Sequence, residues 1–183
     1  MTNNKRTMHH YQQWVDELVS DMGMTPYFMN FMFKELNKSQ TASLAIMMRE
    51  VERVYATLAT RIVRNPSGRH AHRKLPIWIA CPDYPIYKRE RDNVSFQHLN
   101  EGLHVNSVSL FHPGTRMQTS IDDHFDEDPS LYVRPETPLA RVHIRPITED
   151  AGNVAGYALK SIKTGRSTFA DVLILPKTRS ELL

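Results

Sequence analysis

The chain has 183 residues, of which 40% are hydrophobic and 23% are charged, which is enough for one domain with its own core. Its single cysteine, Cys81, excludes an internal disulfide framework, and no apolar run approaches the roughly 18 residues of a membrane span. A net charge of +3 permits nucleic-acid binding without establishing it. Because the start of the chain lacks the apolar segment of a signal peptide, we expect a cytoplasmic protein.

The hydrophobic pattern of the first third of the chain predicts two helices with a strand between them. An apolar stripe over 8–22 predicts a helix that ends at Gly23. The aromatic-rich run 27–36 is apolar on both faces and predicts an interior strand. Inside that strand, Asn30 is interpreted first as a hydrogen-bonded residue of the sheet. Helical spacing then continues for about six turns over 40–64.

Positive charge is concentrated in residues 61–91, which contain eight basic and two acidic residues and carry a net charge of +6. This stretch includes a basic loop over 65–74 and the start of a polar segment over 86–98, with a buried strand predicted over 75–81 between them. Its candidate nucleic-acid-binding residues are Arg69, His70, His72, Arg73, Lys74, Lys88, Arg89 and Arg91. A phosphate-binding patch and a plain solvated loop both fit the sequence of 65–74. The His-Ala-His triplet is a weaker candidate for a metal pair, because no rigid strand fixes its spacing.

The next strand, predicted over 103–111, carries two polar side chains on one face. Strand periodicity places His104 and Asn106 on the same face, one pleat apart, and apolar residues continue that face at alternate positions. Two adjacent nitrogen or oxygen donors on a rigid strand form half of a small metal site. The strand pairs most simply with 75–81 as an antiparallel neighbour.

The last part of the chain predicts two more strands and a helix. The acidic segment 122–128 is interpreted as a solvated loop. Alternation of apolar and basic residues predicts a strand over 141–147, and the runs 153–163 and 169–175 predict a short helix and a last strand. Adjacent strands with helices on one face indicate an α+β sandwich around a central antiparallel sheet. The single domain then divides into an N-terminal helical extension, a main body and a polar tail, over residues 1–24, 25–176 and 177–183.

The late helix carries a candidate nucleophile beside a cation. Tyr157 and Lys160 are three residues apart and share a helix face. A neighbouring ammonium stabilises a phenolate, and a divalent cation that polarises a phosphate assists attack on a phosphodiester. That attack leaves a covalent phosphotyrosine link and a free 3′ hydroxyl. Tyr-x-x-Lys is also the pattern of a tyrosine packed on a sheet near an exposed lysine.

Taken in chain order, these features resemble the HUH endonuclease family and, within it, the rolling-circle replication initiators with a single tyrosine. The resemblance rests on a strand that ends in Phe-Lys-Glu, a long amphipathic helix, a His-hydrophobe-polar strand that ends in Pro, and Tyr-x-x-Lys on a late helix. It covers residues 27–175. It implies an HUH/RRM-like, ferredoxin-like sandwich, and metal-dependent nicking and joining of single-stranded DNA through a covalent 5′-phosphotyrosine intermediate.

The resemblance also implies a ligand set. The family's first motif, a strand rich in threonine, would fall on residues 28–34, where Asn30 replaces the usual hydroxyl residue. Its metal motif falls on His104 and Asn106, and the asparagine departs from the second histidine of that motif. An amide oxygen at this place suits Mg²⁺ or Mn²⁺ better than a softer metal. The acidic third ligand would be one of Asp83 and Glu101.

By the same resemblance, Tyr157 is the nucleophile and Lys160 assists it. The implied partner is single-stranded or hairpin DNA at a replication origin, a host helicase is a second candidate partner, and the implied cofactor is Mg²⁺ or Mn²⁺. Two other hypotheses stay open. One is a non-catalytic nucleic-acid-binding module, a degenerate relative on the same fold, and the other is an unrelated α+β protein in which the motifs are coincidental.

Overall fold

The computed structural model describes residues 3–84 and 99–177 of the chain. Its strands are β1 (Thr25–Phe33), β2 (Ile77–Asp83), β3 (His104–Phe111), β4 (Leu139–Pro146) and β5 (Leu173–Leu175). Its α-helices are α1 (Asn3–Ser20), α2 (Gln40–Ile62), α3 (Ile121–Glu127), α4 (Ala151–Ala158) and α5 (Lys160–Lys163). The strands form one antiparallel sheet in the order β4-β1-β3-β2-β5, which confirms the α+β class and the predicted pairing of β3 with β2.

Helices cover both faces of this sheet. α2 and α3 pack on one face over a core that includes Phe31, Phe33 and Trp78. α1, α4 and α5 pack on the other face over a second core that includes Ile79 and Val108. The prediction of helices on one face was therefore wrong. The inner strands carry apolar residues on both sides of the sheet, so each face has to be covered by helices.

The acidic segment after β3 is helical, so its interpretation as a solvated loop was wrong. The side chain of Ser120 caps α3 by accepting a hydrogen bond from the backbone N–H of Asp123. Two carboxylates in the first turn suit the positive end of the helix dipole. Ile121 and Phe125, four residues apart, are buried against the first core and hold the helix on the sheet.

The helix predicted over 153–163 is divided into α4 and α5 by Leu159, which leaves the helical conformation at ψ 14°. Two carboxylates cap the start of α4. Asp150 accepts a hydrogen bond from the backbone N–H of Asn153, and Asp16 of α1 accepts one from the backbone N–H of Gly152 at 2.8 Å. The first residues of the predicted last strand form a 3₁₀ turn instead, so β5 begins only at residue 173.

α1 packs closely against α4 and is part of the main body of the domain. A Cβ atom on Gly152 would collide with the Asp16 carboxylate, and one on Gly156 would lie 2.5 Å from Nε2 of Gln12. Both glycines therefore permit a close approach of the two helices. Val15 of α1 is fully buried in the second core. Within the described ranges, 3–84 and 99–177, no helix is long and apolar enough to cross a membrane.

Candidate functional site

Polar side chains from three strands meet at one end of the sheet, on the face that α4 and α5 cover. The register pairs His104 of β3 with Asp83 of β2. One pleat further along, Asn106 pairs with Asn30 of β1 on one side and with Cys81 of β2 on the other. Residues paired directly across antiparallel strands point to the same side of a sheet. The strand face predicted for His104 and Asn106 is confirmed by this register.

Asp83 is at the centre of these side chains, and its own side chain is 3% exposed. Its Oδ2 lies 2.7 Å from Nζ of Lys160, 3.2 Å from Nε2 of His104 and 3.0 Å from Nδ2 of Asn106. Its Oδ1 accepts a hydrogen bond from Oγ of Ser161 at 2.8 Å. A carboxylate has about four acceptor positions, so these four groups meet its hydrogen-bonding capacity. We call this set, with Tyr157 and Asn30, the Asp83 network.

The charges within the Asp83 network are fixed by mutual pairing. Burial alone would raise the pKa of Asp83, but the hydrogen bonds from His104, Lys160 and Ser161 outweigh it and hold that pKa well below its ordinary value of 3.8. Burial alone would lower the pKa of Lys160, but hydrogen bonds to Asp83 and Tyr157 raise it above its ordinary value. Asp83 and Lys160 therefore form an ion pair at neutral pH.

Two local contacts orient His104 and Asn106. The Nδ1–H of His104 donates to the carbonyl oxygen of Gly102 at 2.8 Å, which points Nε2 at Asp83. Because the Asp83 carboxylate only accepts hydrogen bonds, the amide of Asn106 must turn its Nδ2 toward it. The Oδ1 of Asn106 then accepts a hydrogen bond from Nδ2 of Asn30 at 2.8 Å. The interpretation of Asn30 as a hydrogen-bonded strand residue is confirmed.

Tyr157 connects this buried network to the surface. Its side chain is 55% exposed, and its Oη accepts a hydrogen bond from Nζ of Lys160 at 3.2 Å. The same ammonium lies 4.4 Å from the centre of the Tyr157 ring, within range of a cation–π contact. The ring also packs against Phe28 of β1, with 5.8 Å between ring centres. Lys160 thus lies between an exposed phenol and the buried carboxylate of Asp83.

The donors of the network fit a small divalent cation in part. A carbonyl that holds the Nδ1–H is the usual arrangement of a metal-binding histidine, and the ion would take the place of the Nε2 proton that His104 donates to Asp83. The 3.2 Å between Nε2 of His104 and Oδ2 of Asp83 suits two ligands that each bind one ion at about 2.1 Å. The amide oxygen of Asn106 faces Asn30 and would have to reorient to join them. Lys160 now supplies the positive charge at this carboxylate.

Other protein ligands are few in the part of the chain that the structure describes. No group of three or more His, Cys, Asp or Glu side chains there could hold a metal ion. The side chain of Glu101, the alternative acidic ligand, lies outside the described residues. Water would have to complete the coordination, as is usual for Mg²⁺.

Thiol chemistry at this site is excluded by the environment of Cys81. Its side chain is fully buried beside Asn106. Burial, with smaller contributions from Asp171 and Asp83, raises the pKa of the Cys81 thiol to about 12. A negligible fraction is thiolate at neutral pH, so the exposed phenol is the better nucleophile.

The basic loop of the sequence lies at the other end of the sheet from the Asp83 network. Ile77 begins β2 just after this loop, and Asp83 ends the same strand. The six-residue rise between them is roughly 20 Å. Five of the candidate nucleic-acid-binding residues are exposed in this loop: Arg69, His70, His72, Arg73 and Lys74. The other three, Lys88, Arg89 and Arg91, lie outside the described residues.

Sequence reasoning missed a second basic surface, which lies beside the network. Arg141, His143 and Arg145 alternate along β4 and point to the face of the sheet that carries Tyr157. Arg145 pairs directly with Phe28, against which the Tyr157 ring packs. The alternation of basic and apolar residues was the available signal. Its meaning depended on β4 being the neighbour of β1, which the sequence pattern does not specify.

The chain matches no family model, no curated protein and no solved structure.

Proposed function

We propose that the protein is a metal-dependent nicking and joining enzyme for single-stranded DNA, in which Tyr157 forms a covalent 5′-phosphotyrosine link. One observation carries the proposal: the exposed phenol is joined through Lys160 to the buried pair of Asp83 and His104. These residues come from two strands, β2 and β3, and from two consecutive short helices, α4 and α5. If Tyr157 only packed on the sheet, its neighbour Lys160 would not need to pair with the buried carboxylate of Asp83.

In the proposed reaction, Oη of Tyr157 attacks the phosphorus of a phosphodiester as the bond to the 3′ oxygen breaks. The phenol proton passes to solvent, and the leaving 3′ oxygen takes up a proton from solvent. Lys160 remains an ammonium and stabilises negative charge on the phenolate and on the phosphate. Rejoining is the same step in reverse, with a 3′ hydroxyl as the nucleophile.

A divalent cation such as Mg²⁺ or Mn²⁺ would be held by His104, Asp83 and a reoriented Asn106. The chemistry that it supplies is polarisation of a phosphate oxygen. Asp83 would have to exchange Lys160 for the ion, and Lys160 would then be available to Tyr157 and the phosphate.

The experiment that tests this proposal is a search for a covalent adduct. Labelled single-stranded oligonucleotides from the sequences that flank the gene are incubated with the protein and Mn²⁺ and run on a denaturing gel. We expect a shifted band that requires metal and that Tyr157→Phe abolishes while DNA binding on a native gel is retained. Tyr11→Phe is the matched control and should keep the band, because Tyr11 stacks on Phe169 and is not part of the Asp83 network. A band that survives in Tyr157→Phe would overturn the assignment.

A second candidate function is binding of single-stranded nucleic acid without cleavage. The observation that favours it is the complete pairing of Asp83, which obliges a metal ion to displace Lys160. In that case wild type gives no adduct with any flanking sequence, and Tyr157→Phe changes nothing, while salt-sensitive binding persists.

A further inference from the structure

A groove of about 740 Å³ runs along the N-terminal half of α1 and reaches Tyr157. α1 forms one wall, and α4 together with α5 forms the other. The two helices run antiparallel, since Asp16 lies beside Gly152 and Gln12 beside Gly156. Toward the start of α1, successive turns therefore lie opposite Tyr157 and then opposite α5.

The charged side chains that line this groove are all basic, and Met8, Ile162 and the Tyr157 ring contribute to its apolar part. Its eleven lining residues include Lys5, His9, Lys160 and Lys163 but no aspartate or glutamate. The amides of three further lining residues, Asn4, Gln12 and Asn153, add hydrogen-bond donors. A groove with ammonium and amide donors and without carboxylates is complementary to a chain of phosphates.

The groove has one wall, the N-terminal half of α1, that lies outside the residues that carry the family resemblance, which begin at residue 27. It exists because α1 docks on α4 through Gly152 and Gly156. From Lys5 to Gln12 the helix rises about 10 Å, which is room for a few nucleotides of an extended strand.

We infer that this groove binds the sugar–phosphate backbone of the DNA strand on one side of the scissile phosphate, so that α1 guides the strand to Tyr157. The inference rests on the proposed function for the identity of the strand. It adds a binding surface, formed by Lys5, His9 and Lys163, that lies outside the nicking motifs. The β4 surface, on the sheet side of Tyr157, would then contact the other flank.

The test compares two double variants that remove the same charge. Lys5→Gln/Lys163→Gln removes two cations from the groove, and Lys38→Gln/Arg49→Gln removes two exposed cations on the α2 side of the molecule. The probe is a labelled oligothymidylate of about 20 nucleotides, whose Kd is measured over a range of salt concentrations. We expect the groove variant to lower the slope of log Kd against log salt by about 1.4, since each lost single-strand phosphate contact contributes about 0.7. Equal changes in both variants would overturn the inference, because the effect would then be one of net charge alone.

A second pair of variants adds charge and does not depend on removing contacts. His9→Lys places a new ammonium in the groove, whereas His10→Lys places one on the neighbouring, exposed position that does not line it. We expect His9→Lys alone to bind the oligothymidylate more tightly and with a steeper salt slope. If the two variants bind the oligothymidylate with indistinguishable affinities, the inference that DNA binds in this groove is contradicted.

The adduct assay separates this inference from the proposed function. If wild type forms the adduct but the groove variants bind DNA like their controls, the groove inference fails and the nicking proposal stands. If no adduct forms but the groove variants change the salt slope as expected, the groove stands as a nucleic-acid site and the nicking proposal fails.

Discussion

At the scale of single residues, the Asp83 network shows how a buried carboxylate can be kept ionised. Burial disfavours the charged form, and only the combined hydrogen bonds of His104, Lys160 and Ser161 reverse that effect. Asn106 is suited to its position because its amide both donates to Asp83 and accepts from Asn30. Two specific partners therefore fix the orientation of the Asn106 amide.

Asp83 should make the stability of the protein depend on acid. Because its pKa is lowered in the folded state, it contributes stability at pH values above its ordinary pKa of 3.8. That contribution is lost as the pH falls below about 4 toward the folded-state pKa. We expect Asp83→Asn to lower the free energy of unfolding at pH 7 by about 2 kcal/mol and to flatten its decline in acid. Urea unfolding across this pH range measures both effects.

The control for this prediction is Asp126→Asn, which changes an exposed carboxylate of α3. It should leave the unfolding free energy at pH 7 within about 0.5 kcal/mol of wild type. An Asp83→Asn protein with the same acid sensitivity as wild type would show that other groups dominate.

Lys160 should matter for the rate of adduct formation more than for DNA affinity. Lys160→Gln removes the ammonium that contacts both Tyr157 and Asp83, and we expect a loss of about 100-fold in the single-turnover adduct rate. Lys160→Arg keeps the charge and should recover part of that rate. If Gln and Arg at this position reduce the rate equally, the role of Lys160 is positional and not electrostatic.

At the scale of helices and strands, the elements with clear hydrophobic periodicity were predictable from the sequence. The features that depend on contacts with other elements were not. β3 and α2 follow their apolar spacing almost residue for residue. α3 was missed because its acidic composition concealed the Ile121 and Phe125 pair that buries it. The division at Leu159 and the capping of α4 by Asp16 depend on neighbours in space, which spacing along the chain does not reveal.

The Asp16 cap offers a test of how α1 supports the helix that carries Tyr157. Asp16→Ala removes the acceptor for the backbone N–H of Gly152, and we expect a loss of about 1 kcal/mol in the free energy of unfolding. Glu17→Ala, on the next position of the same helix, is the control and should cost less, because both side chains are exposed but only that of Asp16 accepts a hydrogen bond from α4 in the described structure. Thermal or urea unfolding of the two variants decides this, and a larger loss for Glu17→Ala would contradict the cap.

At the scale of the whole molecule, the distribution of charge is more informative than its sum. The excess positive charge of the sequence is concentrated in residues 61–91. The basic loop of that stretch nevertheless lies at the opposite end of β2 from Asp83. The basic residues that flank Tyr157 come from α1, α5 and β4, each of which looks unremarkable in a count of charges. Strand order places the basic residues of β4 beside Tyr157. Hydrophobic spacing along the chain predicts individual strands but specifies their order in the sheet least well.

This distribution predicts which surface binds DNA. Arg145→Gln should weaken binding of a single-stranded oligonucleotide and lower its salt slope by about 0.7, because Arg145 lies beside Phe28 and Tyr157. Arg69→Gln, in the distant basic loop, should have a smaller effect. Titrations by fluorescence anisotropy at several salt concentrations compare them, and a larger effect for Arg69→Gln would place the strand on the other end of the sheet.

The basic residues of β4 have a second consequence, because β4 lies at one edge of the sheet that the described residues form. An edge strand offers unpaired backbone groups to any other extended chain, and charged side chains and proline are the common protection against such pairing. Arg141, Arg145 and Pro146 provide that protection here. Replacing both arginines together would remove most of that protection, and self-association would then have to be measured alongside DNA binding. Replacing them singly keeps the strand guarded while its contribution is measured.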